Sequence, residues 1–159
     1  SSAAAIRVGQ ALGRNDPAGA GRSGWAALLL GAGLMTGSAA AFLLVPGKIA
    51  RIFTPNPEVI QLGISLLAVA AFSQLFDGLQ IVATGALRGT GDTRTPMLTH
   101  LLLYWFIGLP LCYFLCFHRG WGALGLWVGL SVALILIGSV LLLVWYRKVP
   151  KLPALSAYR

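Results

Sequence analysis

Charge is scarce in this sequence, and negative charge scarcer still: 10% of residues are Asp, Glu, Lys or Arg, and only Asp16, Glu58, Asp77 and Asp92 are acidic. With 57% hydrophobic residues and a mean hydropathy of +0.81, so little charge excludes a water-soluble domain of 159 residues. Cysteine is nearly absent. Cys112 and Cys116 stand four apart in an apolar stretch with no second pair and neither histidine placed to join them. They read as small packing residues, not as a metal or redox centre. No nucleophile, base and orienting group assemble either. His100 lies one turn into an apolar segment and His118 at its far end, both as interfacial or packing residues, so the chain is not expected to be an enzyme. A net charge of +8 invites nucleic acid as a partner, but phosphate-binding cations gather in patches, whereas here they punctuate the ends of apolar runs, which excludes that reading.

What is present is long apolar runs, at about 24–46, 59–86, 96–117 and 121–146, each near or above the ~20 residues that cross a ~30 Å hydrocarbon core as a helix. The expectation is an all-α polytopic membrane protein with four transmembrane helices, preceded by the end of a fifth over 1–13 and followed by a tail over 147–159. Its opening, Ser1 to Arg7, has neither an initiating Met nor a signal-peptide layout and reads as the end of a truncated helix, the chain being taken as a fragment. Nine cations (Arg7, Arg14, Arg22, Arg88, Arg94, Arg147, Lys148, Lys151, Arg159) fall on one side of the spans against three (Lys48, Arg51, Arg119) on the other. By the positive-inside rule both ends are cytoplasmic, in the cell inner membrane.

The connectors carry ordinary chemistry. Residues 12–22 combine Gly, Pro, Asn and charge and read as a turn, Pro46-Gly47 ends the first span, and Asn56 is a cap before Pro57. Arg88-Gly89-Thr90-Gly91-Asp92-Thr93-Arg94-Thr95-Pro96 is a tight turn with Thr95 as cap of the next helix. Its glycines follow no strand, so it is not a phosphate-cradling loop. Gly33/Gly37 and Gly125/Gly129 have the four-residue spacing that lets helices approach closely, and Pro110 deep in the third span should loosen it near Gly108, a hinge candidate pair.

The second span holds the chemistry. At 100° per residue Ser73, Asp77, Gln80 and Thr84 share one face over three turns, with Gln74 off its edge and Arg88 continuing it. Neutral members of such a stripe are explained as interhelical glue, worth about 0.6 kcal/mol each. Asp77 is not, since an ionised Asp at the midplane costs about 2.5–3.5 kcal/mol that a neutral Asn would avoid. No Lys or Arg lies at matching depth, so its counter-charge is a proton, a metal cation such as Na⁺, a cationic ligand or a residue outside this chain.

Four strings, Ala5–Gly13 (AIRVGQALG), Phe76-Asp77-Gly78-Leu79-Gln80, Gly85–Met97 (GALRGTGDTRTPM) and Tyr104–Pro110 (YWFIGLP), resemble the multidrug and toxic compound extrusion (MATE) family, on its bacterial, NorM-like branch. The resemblance covers essentially the whole chain and implies half of a two-lobe, twelve-helix bundle: the second lobe from the end of helix eight to helix twelve, lacking the N-terminal lobe. It further implies a cation-coupled antiporter with no cofactor, trading Na⁺ or H⁺ for drugs and organic cations across the membrane by alternating access. Asp77 then matches the acid of the tenth helix assigned to cation coupling. The rival readings are a lipid-linked saccharide flippase of the same superfamily, which needs buried Arg or Lys for pyrophosphate, and a non-transport membrane scaffold.

Overall fold

Long apolar helices with no water to satisfy their backbone must close every hydrogen bond internally, and the chain does so almost throughout. A computed structural model describes residues 1–152; the rest of the expected tail, with Arg159, lies outside the described residues. Helix α1 spans Ser2–Gly13, α2 Pro17–Leu44, α3 Pro46–Phe53 and α4 Pro57–Gly89. The third long element, Arg94–His118, is composite: α5 (Arg94–Leu103), a π-helical turn (Tyr104–Gly108), α6 (Leu109–Tyr113) and a second π turn (Phe114–His118). Helix α7 (Gly122–Lys148) closes the order, with a 3₁₀ turn at Val149–Lys151. Four of these elements are long and apolar enough to cross a membrane: Pro17–Leu44, Pro57–Gly89, Arg94–His118 and Gly122–Lys151.

Several local expectations change. The helix that carries the first apolar run starts at Pro17, because the chain turns within residues 14–16: Asn15 takes φ 54°, Asp16 accepts the Gly19 N–H at 2.7 Å, and Pro17, at the first helical position, needs no donor. Residues 17–22, read from the sequence as turn, are helix, and their glycines serve packing. Asn56 does cap α4, its Oδ1 accepting from the Glu58 N–H at 3.0 Å. Thr95 does not cap α5. Asp92 does, accepting from the Thr95 N–H at 3.0 Å and the Thr95 hydroxyl at 2.9 Å. Helix α3 lies in a segment read only as the end of a span and the approach to a loop.

Helix α4 is the hub, packing against α1, α2, α3 and α7. The tightest core gathers where the ends of α4 and α7 meet the start of α2 and all of α1, around Val8, Ala20, Leu87, Leu141 and Trp145. Small residues permit this approach. A Cβ on Gly24 would collide with the Trp145 ring at Cζ2, and one on Gly89 would lie 2.6 Å from the Ala5 carbonyl oxygen. The Gly125/Gly129 pair behaves as its spacing implies, each abutting backbone of the third span, at Leu115 (2.8 Å) and Cys112 (2.8 Å to N). Gly33 and Gly37 do not; nothing lies within 4 Å of either position, and they face open space. Cys112 is buried and its Sγ donates to the Leu126 carbonyl at 3.3 Å, while Cys116 is half-buried, both as free thiols.

Candidate functional site

The geometry of α4 sets the site. Its Gln74, Gly78 and Val82 side turns to α2, where Gln74 Nε2 donates to Ser38 Oγ at 3.3 Å and Met35 fills the space beside Gly78. Its Phe76 side meets Gly138 of α7. Gln80 of the polar stripe approaches Tyr104 of the third span. Ser73, Gln80 and Thr84 are buried and Asp77 is half-buried.

Within the stripe the structure joins two of the four expected residues. Gln80 Nε2 donates to Asp77 Oδ1 at 2.9 Å, one turn apart on the same helix. Ser73 bonds instead to its own helix, its Oγ donating to the Ala70 carbonyl at 3.1 Å, and Thr84 has no hydrogen bond to Asp77. Two acceptor-capable atoms in the stripe are buried without a partner, Gln80 Oε1 and Thr84 Oγ1. Such atoms cost about 1–3 kcal/mol each when left unpaired in an apolar setting, so the stripe holds unused coordinating capacity. Among the described residues the one ion pair is Lys148 Nζ to Asp92 Oδ2 at 2.7 Å, and Asp77 has no basic partner.

The third span supplies a residue that the sequence reading of the stripe passed over. Tyr104 stands beside Gln80 and within electrostatic reach of Asp77. Its signal in the sequence was a polar tip in an otherwise apolar run, indistinguishable from an interfacial tyrosine until the helices are packed. A cavity of about 610 Å³ opens below, lined by Thr84, Arg88, His100, Tyr104 and Trp105. His100, expected as a packing residue, lines it with Nδ1 2.7 Å from the Pro96 carbonyl, so that Nδ1–H donates and Nε2 is left to the cavity. His118 stacks on Phe114.

The hinge candidates sit differently from each other. Gly108 ends the first π turn and is buried, with the Ala133 Cβ 3.1 Å from where its own Cβ would stand, whereas Pro110 is exposed on the outer surface. Pro110 cannot donate to the carbonyl one turn back, and the ladder shifts around it: the Leu109 N–H bonds to the Tyr104 carbonyl, five residues back.

Residues 1–114 match the sequence model of the family described as MatE. The chain belongs to the MatE family. A probable multidrug resistance protein NorM from Brucella suis is 40% identical over 97% of this chain, and a multidrug resistance protein NorM from Burkholderia vietnamiensis is 43% identical over 91% of it. The chain spans about a third of the length of these relatives, 34% and 32% respectively. The fold likewise matches the crystal structure of the eukaryotic MATE transporter AtDTX14, with a TM-score of 0.84 over 96% of this chain and 35% of that one, at 23% identity. Composition, four spans and architecture thus agree with the MatE resemblance carried by the GALRGTGDTRTPM and FDGLQ strings.

Proposed function

We propose that the protein to which this MatE segment belongs is a cation-coupled exporter of drugs and organic cations, and that Asp77 is the group exchanging Na⁺ or H⁺ for cationic cargo. The observation that carries the reading is an acid in the middle of a spanning helix, half-buried, bonded only to the neutral amide of Gln80 and in no ion pair. An ionised carboxylate in a span needs a cation close by, so one bound cation is traded for another. Gln80 Oε1 and the Tyr104 phenol offer neutral oxygens for a sodium-bound or protonated site, with Thr84 one turn below; Ser73, satisfied by its own helix, takes no part. A hard cation such as Na⁺ suits an all-oxygen set of this kind. Inward access would run through the cavity bounded by Thr84, Arg88 and His100. The π turns around Gly108 and Pro110 are the proposed place where the third span bends as access alternates.

The flippase reading asks for buried cations. Every Arg among the described residues is exposed. That arrangement supports cationic cargo. The deciding experiment is flux of a fluorescent organic cation in vesicles holding the full-length protein under an imposed Na⁺ or H⁺ gradient. Asp77→Asn is expected to insert normally and lose gradient-driven flux; undiminished flux in that variant removes Asp77 from the mechanism, and flux of a saccharide-pyrophosphate lipid instead would install the flippase.

A further inference from the structure

Helix α3 has two faces of different chemistry. Ala50, its buried residue, seats 3.5 Å from the Cβ position of Gly63 on α4. Lys48 and Arg51, three residues apart and therefore one above the other on the flank of the helix beside that contact, are both exposed. Ile52 and Phe53 leave 79% and 84% of their surface open, as does Leu44 at 80% just before the helix. Under α3 runs a groove of about 270 Å³ between α3, α4 and α7, lined by apolar side chains that include Ile49, Phe53, Leu67 and Trp127. Neither cation has a carboxylate partner among the described residues: Glu58, the acid at this end of the bundle, forms no ion pair.

We infer that α3 lies in the membrane interface and that this end of the molecule is a binding site for an anionic phospholipid. Its headgroup phosphate sits on Lys48 and Arg51, and one acyl chain enters the groove past Phe53 to Trp127. The charge complementarity is specific to an amphiphile. A free anion would satisfy the cations and leave the groove and the exposed Ile52 and Phe53 unfilled, while a zwitterionic lipid would fill the groove but bring a phosphate whose charge its own ammonium already offsets. A short helix with cations on one face and apolar side chains on the other, lying beside an apolar channel, suits a headgroup and a tail at once. This inference is independent of what Asp77 does, and of which leaflet the α3 end faces.

Trp127 makes the site testable, because bromine on an acyl chain quenches a tryptophan that it touches. The full-length protein is reconstituted in phosphatidylcholine bilayers containing increasing mole fractions of phosphatidylglycerol or phosphatidylcholine brominated near the carbonyl end of the chain. The Trp127 contribution is taken as the difference between the protein and its Trp127→Phe variant. Half-maximal quenching of Trp127 is expected at a phosphatidylglycerol fraction on the order of tenfold lower than for phosphatidylcholine, about what two interfacial cations supply. In Lys48→Gln/Arg51→Gln the two lipids should become equivalent while quenching by phosphatidylcholine is unchanged, which also shows that the groove is intact. Inorganic phosphate at millimolar concentration should not displace the lipid. Equal quenching by both lipids in the unmodified protein, a phosphatidylglycerol preference that survives the double substitution, or a Trp127 that neither lipid reaches because another part of the protein covers the groove, would each overturn the site.

Discussion

At the scale of single residues, two of the four acids carry structure that can be tested separately. Asp77 has one bond, from Gln80, and removing its charge as Asp77→Asn keeps size and hydrogen-bonding capacity, so a stability change under about 1 kcal/mol is expected alongside loss of coupled flux. A thermal-shift assay on the purified protein checks the first half. Asp92 is the reverse case, structural throughout. Partial burial pushes its carboxyl up, but hydrogen bonds from Lys148 and Thr95 with the Lys148 charge outweigh that and hold it below the usual carboxylate value of 3.8. Because the folded value is the lower one, the stabilisation is complete above that ordinary value and is lost as pH falls through the folded one. Asp92→Ala should cost about 1–2 kcal/mol at neutral pH, through the lost cap of α5 and the lost tie to the end of α7, and should flatten the stability profile below pH ~4. Denaturation midpoints measured across pH for both forms read this out. The Asp92 role escaped sequence reading because Thr95 stands in an equally good capping position; the choice between them needs backbone coordinates.

Elements show where pattern reading succeeds and where it cannot. Apolar length alone locates four spans, yet it is blind to α3, whose eight residues are too short for a periodic signal and whose Pro-Gly start looks like a terminator. It is equally blind to the two π turns of the third span, since π and α turns present nearly the same hydrophobic pattern and differ only in which carbonyl each N–H meets. Glycine spacing is similarly ambiguous: two pairs with one spacing behave differently, because a small residue matters only if another backbone arrives. Gly125→Ala and Gly129→Ala should each destabilise by about 1–3 kcal/mol, the new methyl meeting backbone that cannot yield. Gly33→Ala and Gly37→Ala should be neutral or stabilising by up to about 1 kcal/mol, as an exposed helical glycine gains from a side chain. Urea or thermal unfolding of the four variants separates the pairs.

For the molecule as a whole, four candidate spans would put the segments around Asn15 and Lys151 on one face of a membrane, and the asymmetry of Lys and Arg proposes which face. In a cysteine-free background, cysteines introduced at Asn15 and Thr93 should react with a membrane-impermeant thiol reagent only from the cytoplasmic side, and those at Pro55 and Arg119 only from the other. Labelling of Asn15 and Pro55 from one side would break the four-span topology. The chain spans about a third of the length of the MatE relatives described above, and α2 leaves Leu29, Leu30 and Leu34 uncovered.

Sequence by itself determined the class, the number of spans and the suspicion about Asp77, because each follows from what hydrocarbon tolerates: length, apolarity and the cost of a buried charge are properties of a residue and its neighbours along the chain. Tertiary structure alone decided that Gln80 and Tyr104 attend Asp77 while Ser73 turns back to its own helix, that Asp92 caps α5 and holds Lys148, and that one glycine pair packs while another stands idle. Those outcomes depend on which helix arrives beside which, and helix packing in lipid is settled by close-fitting surfaces between segments far apart in the chain, a matter that no local pattern encodes.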